Sequence, residues 1–396
     1  MVRLLKKTWQ ILHTPISVVY SALYGSRFVI TEVSLALLVL IFYCEYLHYK
    51  MVIQQCFWPA LSPDKEDFSI PTTNENRLKV MVLADIHLKC TRASWQGTFN
   101  EEDQMRRCFQ NAVQHLKPDL VFVLGDILDE GMQHCNLKEF NDTVQRFHDI
   151  FSVPNETEMY VVAGNVEVGY HHQIDVDKNE EFMDAFKSPL VQFLTIRKNN
   201  FVLLNSMALG SDNCSLCAAV EKNLSEIEKK LNCSQEANRG TCEAFLTLPV
   251  YSRPILIQHL PLYRTSDANC NDYDSAPFPR KLRNMAEYWQ CLSRNLTASL
   301  MMRLNPRIVF SGHTHHGCTR SLPMKTGVEV TMSSFNWRKK DNPALGLAVV
   351  TTTNYEIVKC QLPRYSTISN IYLVGMIIII LWIIFSYKTR RMCIMK

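Results

Sequence analysis

Apolar residues fill two long runs near the ends of the chain and a series of short bursts between them, and the two textures predict different elements. Val33 to Ile53 reads VSLALLVLIFYCEYLHYKMVI, and Ile368 to Tyr387 reads ISNIYLVGMIIIILWIIFSY with no charge at all. Each is close to the roughly 20 residues that carry a helix across a bilayer core. A core helix of a globular domain is apolar on one face, whereas Leu373 to Phe385 is apolar all round, which predicts a membrane span over 368–387. The run at 33–53 reads as a second span, interrupted by Glu45. An intramembrane carboxylate is costly and is a functional candidate by default. The reading favoured here sets Glu45 near the interface, with Lys50 one or two turns on. A cleaved signal peptide fits poorly, because the run is long, begins late and is followed by no small-residue cleavage site.

The middle of the chain alternates buried strands with amphipathic stretches. LKVMVLAD (78–85), DLVFVLGD (119–126), EMYVVAGN (158–165), FVLLNS (201–206), PILIQH (254–259) and RIVFSGH (307–313) are almost continuously apolar, as strands covered on both faces are. Helical patterns over Glu101–Leu116, Leu137–Phe151 and Met285–Arg303 separate them. GVEVTMSS (327–334), LGLAVVTTT (345–353) and NYEIVKCQL (354–362) follow with little helix between, which predicts antiparallel strands turning at Asn342-Pro343 and Asn354. The fold class is α/β, with two mixed sheets face to face and helices outside. Residues 54–77, rich in Pro, Asp and Asn, read as a linker.

The formal charge of the 396 residues is +4, and its placement matters more than its sum. Arg3, Lys6, Lys7 and Arg27 precede the first span, and Lys388, Arg390, Arg391 and Lys396 follow the second; with Glu32 they give the tails +7. Glu45 and Lys50 cancel, and 33 basic against 36 acidic residues leave the middle segment at −3. Positive flanks resist translocation, so the tails, 1–32 and 388–396, are expected in the cytosol and the domain at 78–367 in a lumen. The stretch MVRLLKKTWQILH reads either as a surface-lying amphipathic helix or simply as an orientation signal. Six Asn-X-Ser/Thr sequons agree with a luminal domain, at Asn141, Asn155, Asn213, Asn223, Asn232 and Asn295. So do 12 of the 14 cysteines, Cys56 through Cys360, an even number suited to an oxidising compartment. Cys214, Cys217, Cys233 and Cys242 crowd into 210–245 with three of the sequons; a zinc knuckle is one reading, and two disulfides pinning an exposed insertion are the favoured one.

Polar groups recur where the apolar runs end: Asp85-Ile-His87, Gly125-Asp126 with Asp129 beyond, Gly164-Asn165, His259, and Gly312-His313-Thr314-His315. Each fragment alone is a common turn, but parallel strands deliver all of them to one crevice. Carboxylates, an amide oxygen and imidazoles suit Mn²⁺, Fe or Zn²⁺, with enough ligands for two ions sharing a carboxylate. Such a pair hydrolyses phosphoesters. His115, His134, His148 and His172 read as surface or helix residues instead.

With these motifs in view the chain resembles the calcineurin-like metallophosphoesterases, whose pattern runs D-x-H, G-D-x-x-D, G-N-H-D/E, H and G-H-x-H. The resemblance covers about 78–335 and implies that family's sandwich. It gives Asp85, His87 and His315 to one metal, Asn165, His259 and His313 to a second, and Asp126 to both, with Mn²⁺ the expected ion. MVLADIHL, DLVFVLGDILDEG, QHLPLYRTSDANC, SGHTH and FNWRKKDNP, with a span at either end, are similar to membrane-bound members of the early secretory pathway that remodel GPI anchors. That likeness implies removal of the side-chain ethanolamine phosphate from the second mannose, GPI-anchored proteins as substrates and p24-type cargo receptors as downstream partners. It also implies residence at ER exit sites, the ER–Golgi intermediate compartment or the Golgi.

One motif departs. Gly164-Asn165-Val166-Glu167 stands where the family has G-N-H-D/E. Valine donates no proton, so metal ligation should survive while turnover loses the 10² to 10⁴-fold that a positioned acid contributes. Glu167 then lacks its usual partner, and His171 or His172 is a weak substitute. Arg264 is a candidate phosphate contact, and Trp337 and Arg338 candidate pocket residues. Two other functions stay open: a metal- and glycan-binding sorting factor without turnover, and a general luminal phosphomonoesterase. Nucleic acid is disfavoured, because the −3 segment has no basic surplus.

Overall fold

The computed structural model describes residues 29–62, 77–90, 95–129, 135–170, 173–210, 214–235, 240, 242–243, 247–322 and 327–394. The described chain divides into two compact units, one made of the terminal apolar segments and one spanning Val52–Arg364.

In the terminal unit, helix α1 (Val29–Ile53) and the segment Tyr365–Thr389 of helix α8 (Tyr365–Ile394) are long and apolar enough to cross a membrane. Only 6% and 11% of their most apolar windows are buried, which separates them from the core helices of a soluble domain. Glu45 sits in a π turn, Tyr43–Leu47, and its carboxylate accepts a hydrogen bond from the Tyr372 hydroxyl of α8. The sequence offered Lys50 as its neighbour. The partner comes instead from the other apolar helix, a pairing no local pattern encodes.

The Val52–Arg364 unit is the predicted α/β sandwich. Its strands are β1 (Leu78–Leu83), β2 (Leu120–Val123), β3 (Glu158–Val161), β4 (Val191–Ile196), β5 (Asn199–Leu204), β6 (Ile255–Gln258), β7 (Ile308–Ser311), β8 (Cys318–Ser321), β9 (Val328–Thr331), β10 (Ala344–Val350) and β11 (Tyr355–Gln361). One sheet runs β11-β10-β1-β2-β3 and the other β4-β5-β6-β7-β9-β8. β1, β2 and β3 are parallel, as are β5, β6, β7 and β9; β10, β11, β4 and β8 pair antiparallel at the flanks. Val80, Val82, Phe122, Phe201, Ile257 and Phe310 fill the space between the sheets, with the Phe122 and Phe201 rings 5.3 Å apart. This apolar layer is what the continuous runs encode, because each central strand is covered on both faces. Helices α2 (Trp95–Leu116), α3 (Leu137–Ile150), α4 (Asn165–Val168), α5 (Val176–Phe186), α6 (Cys217–Ser234) and α7 (Arg294–Leu304) complete the unit.

Three sequence readings need correction. β4 and β8 were not predicted: β8 reads CTRS on a sheet edge and carries no apolar run to announce itself. The helix expected over Met285–Arg303 begins only at Arg294, because Ser293 caps it by accepting the Leu296 amide at 3.2 Å. Residues before it form a loop closed by a Glu287–Cys291 bridge, which turns Tyr288 and Trp289 outward. The described start of the linker is docked rather than free. Trp58 Nε1 donates to the Leu116 carbonyl at 2.8 Å, Asn354 Nδ2 donates to the Ser62 carbonyl at 3.0 Å, and Cys56 is bonded to Cys360.

Disulfides join Cys90–Cys135, Cys270–Cys318 and, in the insertion, Cys214–Cys217 and Cys233–Cys242. The insertion cysteines are therefore not a zinc knuckle. Cys108 and Cys291 stay buried thiols, so the even count does not mean complete pairing.

Candidate metal centre

The parallel strands deliver their following residues to one end of the sandwich. Asp85 and His87 follow β1, Asp126 follows β2, Asn165 opens α4 after β3, His259 follows β6, and His313 and His315 follow β7. Two bonds stitch the sheets together here. His259 Nδ1 lies 2.6 Å from the Leu124 carbonyl, and the His313 amide donates to Asp85 Oδ1 at 2.9 Å. Ser334 Oγ donates to the Asp85 carbonyl at 2.7 Å and Asn336 Nδ2 to the Ile86 carbonyl at 2.9 Å, so the β9–β10 connection holds the D-x-H loop from behind.

The backbone pays for this convergence in strain. Asp85, His87, Asp126, His313 and His315 all take left-handed φ values, 54°, 52°, 50°, 72° and 59°. Each such residue costs of order 1–3 kcal/mol and persists only where its surroundings over-determine it, which is typical of functional sites. Gly164 is required by proximity, since a Cβ there would land on the Asp126 backbone nitrogen and carboxylate.

Side-chain donors fall into two groups that share one member. Asp85, His87, Asp126 and His315 form the first, and Asp126, His259 and His313 the second, all buried or nearly so. His87 Nε2 and His315 Nε2 are 2.9 Å apart, and His259 Nε2 lies 3.1 Å from both His313 Nδ1 and Asn165 Oδ1. Asp126 sits between the groups, Oδ1 3.4 Å from His259 Nε2 and Oδ2 3.9 Å from His87 Nε2. Asp85 Oδ2 is buried without a hydrogen-bond partner. Converging lone pairs and an orphaned carboxylate oxygen are what divalent cations satisfy, and mixed carboxylate–imidazole donors fit first-row ions. The residues present fit metal. A third group, Asp267 with Cys270 and Cys318, does not, because its sulfurs are spent on each other.

Burial leaves three of the four clustered histidines ready to ligate at neutral pH. Burial holds His87 near pKa 4 and His313 and His315 near 3, so all three present neutral nitrogens. Burial alone would also lower His259, but the charge and hydrogen bond of Asp126, helped by Asp85, lift it to about 9. Asp126 shows the reciprocal effect: burial pushes its carboxyl up, and His259, His87 and His313 together overcome that and hold it well below the carboxylate range. Burial raises Asp85 to about 7.

Glu167 was expected to lack a partner, and it has three. Its Oε2 accepts from the amides of Gly164 at 2.8 Å and Asp126 at 3.1 Å, and its Oε1 from that of Leu128 at 2.9 Å. It staples the second and third motifs together from below and is fully occupied without a histidine. Replacing it by glutamine turns an N–H donor toward backbone donors. Glu167→Gln is expected to destabilise the protein by about 2 kcal/mol, read as a lower urea midpoint with an unchanged slope.

The remaining candidates divide. Arg264 is buried, its Nε bonded to Asp267 at 2.7 Å and its Nη1 to Thr331 Oγ1 at 3.0 Å, so it braces loop to strand, while its Nη2 has no hydrogen-bond partner. Trp337 is buried and donates to the Pro363 carbonyl at 2.7 Å, a wall contact. Arg338 does reach the rim: it pairs with Asp129 and donates to the His87 carbonyl at 3.2 Å, while Asp129 Oδ1 stands 3.7 Å from His87 Nδ1. His171 and His172 lie outside the described residues, as do His134 and Asn213. Asn141, Asn155, Asn232 and Asn295 are exposed and Asn223 is half-buried. His115 and His148 are away from the donors, against Cys56 and Phe186.

Two residues carried no sequence signal. The Trp289 carbonyl lies 2.7 Å from His313 Nε2, and Tyr170 packs on the Trp289 ring at 4.7 Å and edge-on to His313 at 6.3 Å. Both lie in irregular segments, Trp289 within the helical pattern over Met285–Arg303 that in the fold begins only at Arg294.

The chain is similar to known proteins over most of its length. Residues 78–317 match the family described as Calcineurin-like phosphoesterase. Metallophosphoesterase 1 of Ailuropoda melanoleuca is 36% identical over 359 residues, 89% of each chain. Metallophosphoesterase 1 of Pongo abelii is 38% identical over 343 residues, 85% of each chain. Among solved structures, a dimetal phosphatase from Danio rerio aligns with a TM-score of 0.41 at 13% identity, over 72% of this chain and 99% of that one. The motif match, the His/Asp cluster and the full-length relatives together make the chain a metal-dependent phosphoesterase belonging to the calcineurin-like phosphoesterase family.

Proposed function

We propose that the chain is a dinuclear phosphodiesterase that removes the side-chain ethanolamine phosphate from the second mannose of GPI anchors, at the luminal face of an early secretory membrane. The observation that carries the hydrolytic part is Asp126, one carboxylate common to both donor groups. In this reading Asp85, His87, His315 and Asp126 hold one ion, and Asn165, His259, His313 and Asp126 the other, with Mn²⁺ the expected metal. When bound, two such ions place positive charge against the phosphoryl oxygens and acidify water for attack. The protein keeps His87, His313 and His315 neutral by burial and anchors Asp126 through the Val166 amide at 3.1 Å.

The substrate assignment is supported by the resemblance to relatives named Metallophosphoesterase 1, which covers 89% of this chain. Tethering at both ends suits a lipid-anchored substrate. Five disulfides in the Val52–Arg364 unit support the luminal orientation, with both tails cytosolic, since such bonds persist in oxidising compartments. Residence at ER exit sites, the ER–Golgi intermediate compartment or the Golgi, and hand-over of trimmed anchors to p24-type cargo receptors, belong to the same reading.

Val166 is the observation that favours a second reading, a slow enzyme serving chiefly as a glycan-binding sorting factor. Its side chain offers no proton to the departing sugar hydroxyl, and Glu167 is committed to three amides. The test is release of ethanolamine phosphate from a purified GPI glycolipid by metal-stripped protein with and without Mn²⁺. Release only with Mn²⁺ is expected.

A further inference from the structure

Between Cys270, bonded to Cys318, and Ser293 at the cap of α7, the chain forms an irregular loop with one 3₁₀ turn at Arg280–Leu282. Among the described residues of the Val52–Arg364 unit nine large hydrophobics are exposed, and five of them, Tyr273, Phe278, Leu282, Tyr288 and Trp289, lie on this loop. Phe278 is 77% exposed, Tyr273 69% and Leu282 52%. Single apolar residues on a surface are ordinary, whereas a cluster on one loop is a sign of a contact surface.

Charge shows what the surface would meet. The stretch PFPRKLRNMA (277–286) holds Arg280, Lys281 and Arg283 and no acid, inside a segment whose sum is −3. The acids that precede it turn inward, where Lys359 Nζ donates to Asp272 Oδ2 at 2.7 Å and to Asp274 Oδ1 at 3.2 Å. Arg280 and Arg283 are exposed, and Lys281, half-buried, donates to the Asn271 amide oxygen at 3.1 Å. Among the described residues none of the three cations is paired with a carboxylate. Cations interleaved with aromatic and aliphatic side chains suit the boundary of a bilayer, where rings sit at headgroup level and basic groups reach phosphate. A soluble anion would satisfy the cations and leave Phe278 and Leu282 in water.

The loop also lies beside the chain's own route into the apolar helices. The Arg364 guanidinium is 5.1 Å from the centre of the Tyr273 ring, and Arg364 immediately precedes Tyr365, the first residue of α8. Lys359, which holds Asp272 and Asp274, neighbours Cys360, whose disulfide to Cys56 ties β11 to the chain leaving α1. Two more exposed hydrophobics, Phe57 and Val358, line one small cavity with that disulfide. At its other end the loop reaches the donor cluster. There Trp289 lines a cleft of about 840 Å³ between α6 and α7, and its carbonyl lies 2.7 Å from His313 Nε2.

We propose that this loop is a bilayer-docking surface: Phe278 and Leu282 enter the headgroup layer of a phospholipid membrane while Arg280, Lys281 and Arg283 meet lipid phosphates. Through Trp289 the docked loop ties the donor cluster to the membrane surface. The inference rests on α1 and α8 spanning a membrane and on no assignment of substrate. Its test uses the full-length protein in nanodiscs of phosphatidylcholine and phosphatidylserine, four to one, with the phosphatidylcholine brominated near the headgroup or not. Phe278→Trp, at an exposed position, is expected to add tryptophan emission of which the bromines quench at least about half, since the headgroup–acyl boundary is within their reach. Arg280→Glu with Arg283→Glu in that background is expected to abolish most of the added quenching, and Arg280→Lys with Arg283→Lys to retain it.

Added emission that the bromines do not quench overturns the proposal, because the patch would then face water or another protein. Quenching equal in the glutamate and lysine variants overturns it too, since the cations would then have no part in docking. Trp382, within α8, reports the spans separately: its emission is lost in Trp382→Phe, and failure of the bromines to quench it would overturn the spans and the docking surface together. Quenching at Trp382 without quenching at position 278 leaves the spans standing and removes the docking surface alone.

Discussion

Asp126→Asn is expected to lower kcat by about three orders of magnitude or more and to halve the metal content, because the variant removes the one charge both donor groups share. The geometry makes this substitution severe. Asp126 is buried, stands 3.4 Å from His259 and 3.9 Å from His87, and belongs to both clusters. Asparagine keeps the shape and one oxygen, which suffices to accept from the Val166 amide or to meet one ion, but its NH₂ group repels a cation. Steady-state rates at saturating Mn²⁺ and metal analysis after dialysis check both halves of the expectation. A variant retaining wild-type rate and metal content would remove Asp126 from the bridging position.

Val166→His is expected to move the rate in the opposite direction, raising kcat about 10²-fold with little change in KM. The backbone is ready for it, since the Val166 amide already anchors Asp126 and the side chain is only half-buried at the edge of the cluster. The gain sits at the low end of what a positioned acid supplies because Glu167, the carboxylate that would orient the ring, is held by the amides of Asp126, Gly164 and Leu128. A new ionisation in the pH dependence of kcat would accompany the gain and separate it from a change in folding. An unchanged kcat, or a wild-type rate already near the ~10 s⁻¹ common for enzymes, would contradict the idea that valine limits turnover.

Why the first of these residues was readable in advance and the supports of the second were not follows from what each depends on. Strands covered on both faces write themselves as uninterrupted apolar runs, so β1, β2, β6 and β7 and the polar groups at their ends could be placed from sequence, and with them Asp85, His87, Asp126, His259, His313 and His315. Convergence follows from parallel order alone. Features set by long-range contact had no such signature. Glu167 meets amides 39 and 41 residues away, Arg264 meets Thr331 across 67 residues, and Cys56 finds Cys360 across 304. Arg264 is a candidate phosphate contact by residue type, and its burial beside Asp267 and Thr331 is a feature its type does not encode. Trp289 was placed in a helix by periodicity, but the Ser293 cap delays that helix and leaves the indole facing the cleft.

The proposed activity of this centre is metal-assisted hydrolysis of the ethanolamine phosphate ester of a GPI glycan. Metal-stripped full-length protein, given a purified GPI glycolipid with and without added Mn²⁺, tests it in one experiment by mass-spectrometric detection of released ethanolamine phosphate. Release is expected to require Mn²⁺, to disappear in Asp126→Asn and to increase in Val166→His. Equal release by the metal-free protein, or no release by Val166→His with its metals bound, would contradict it.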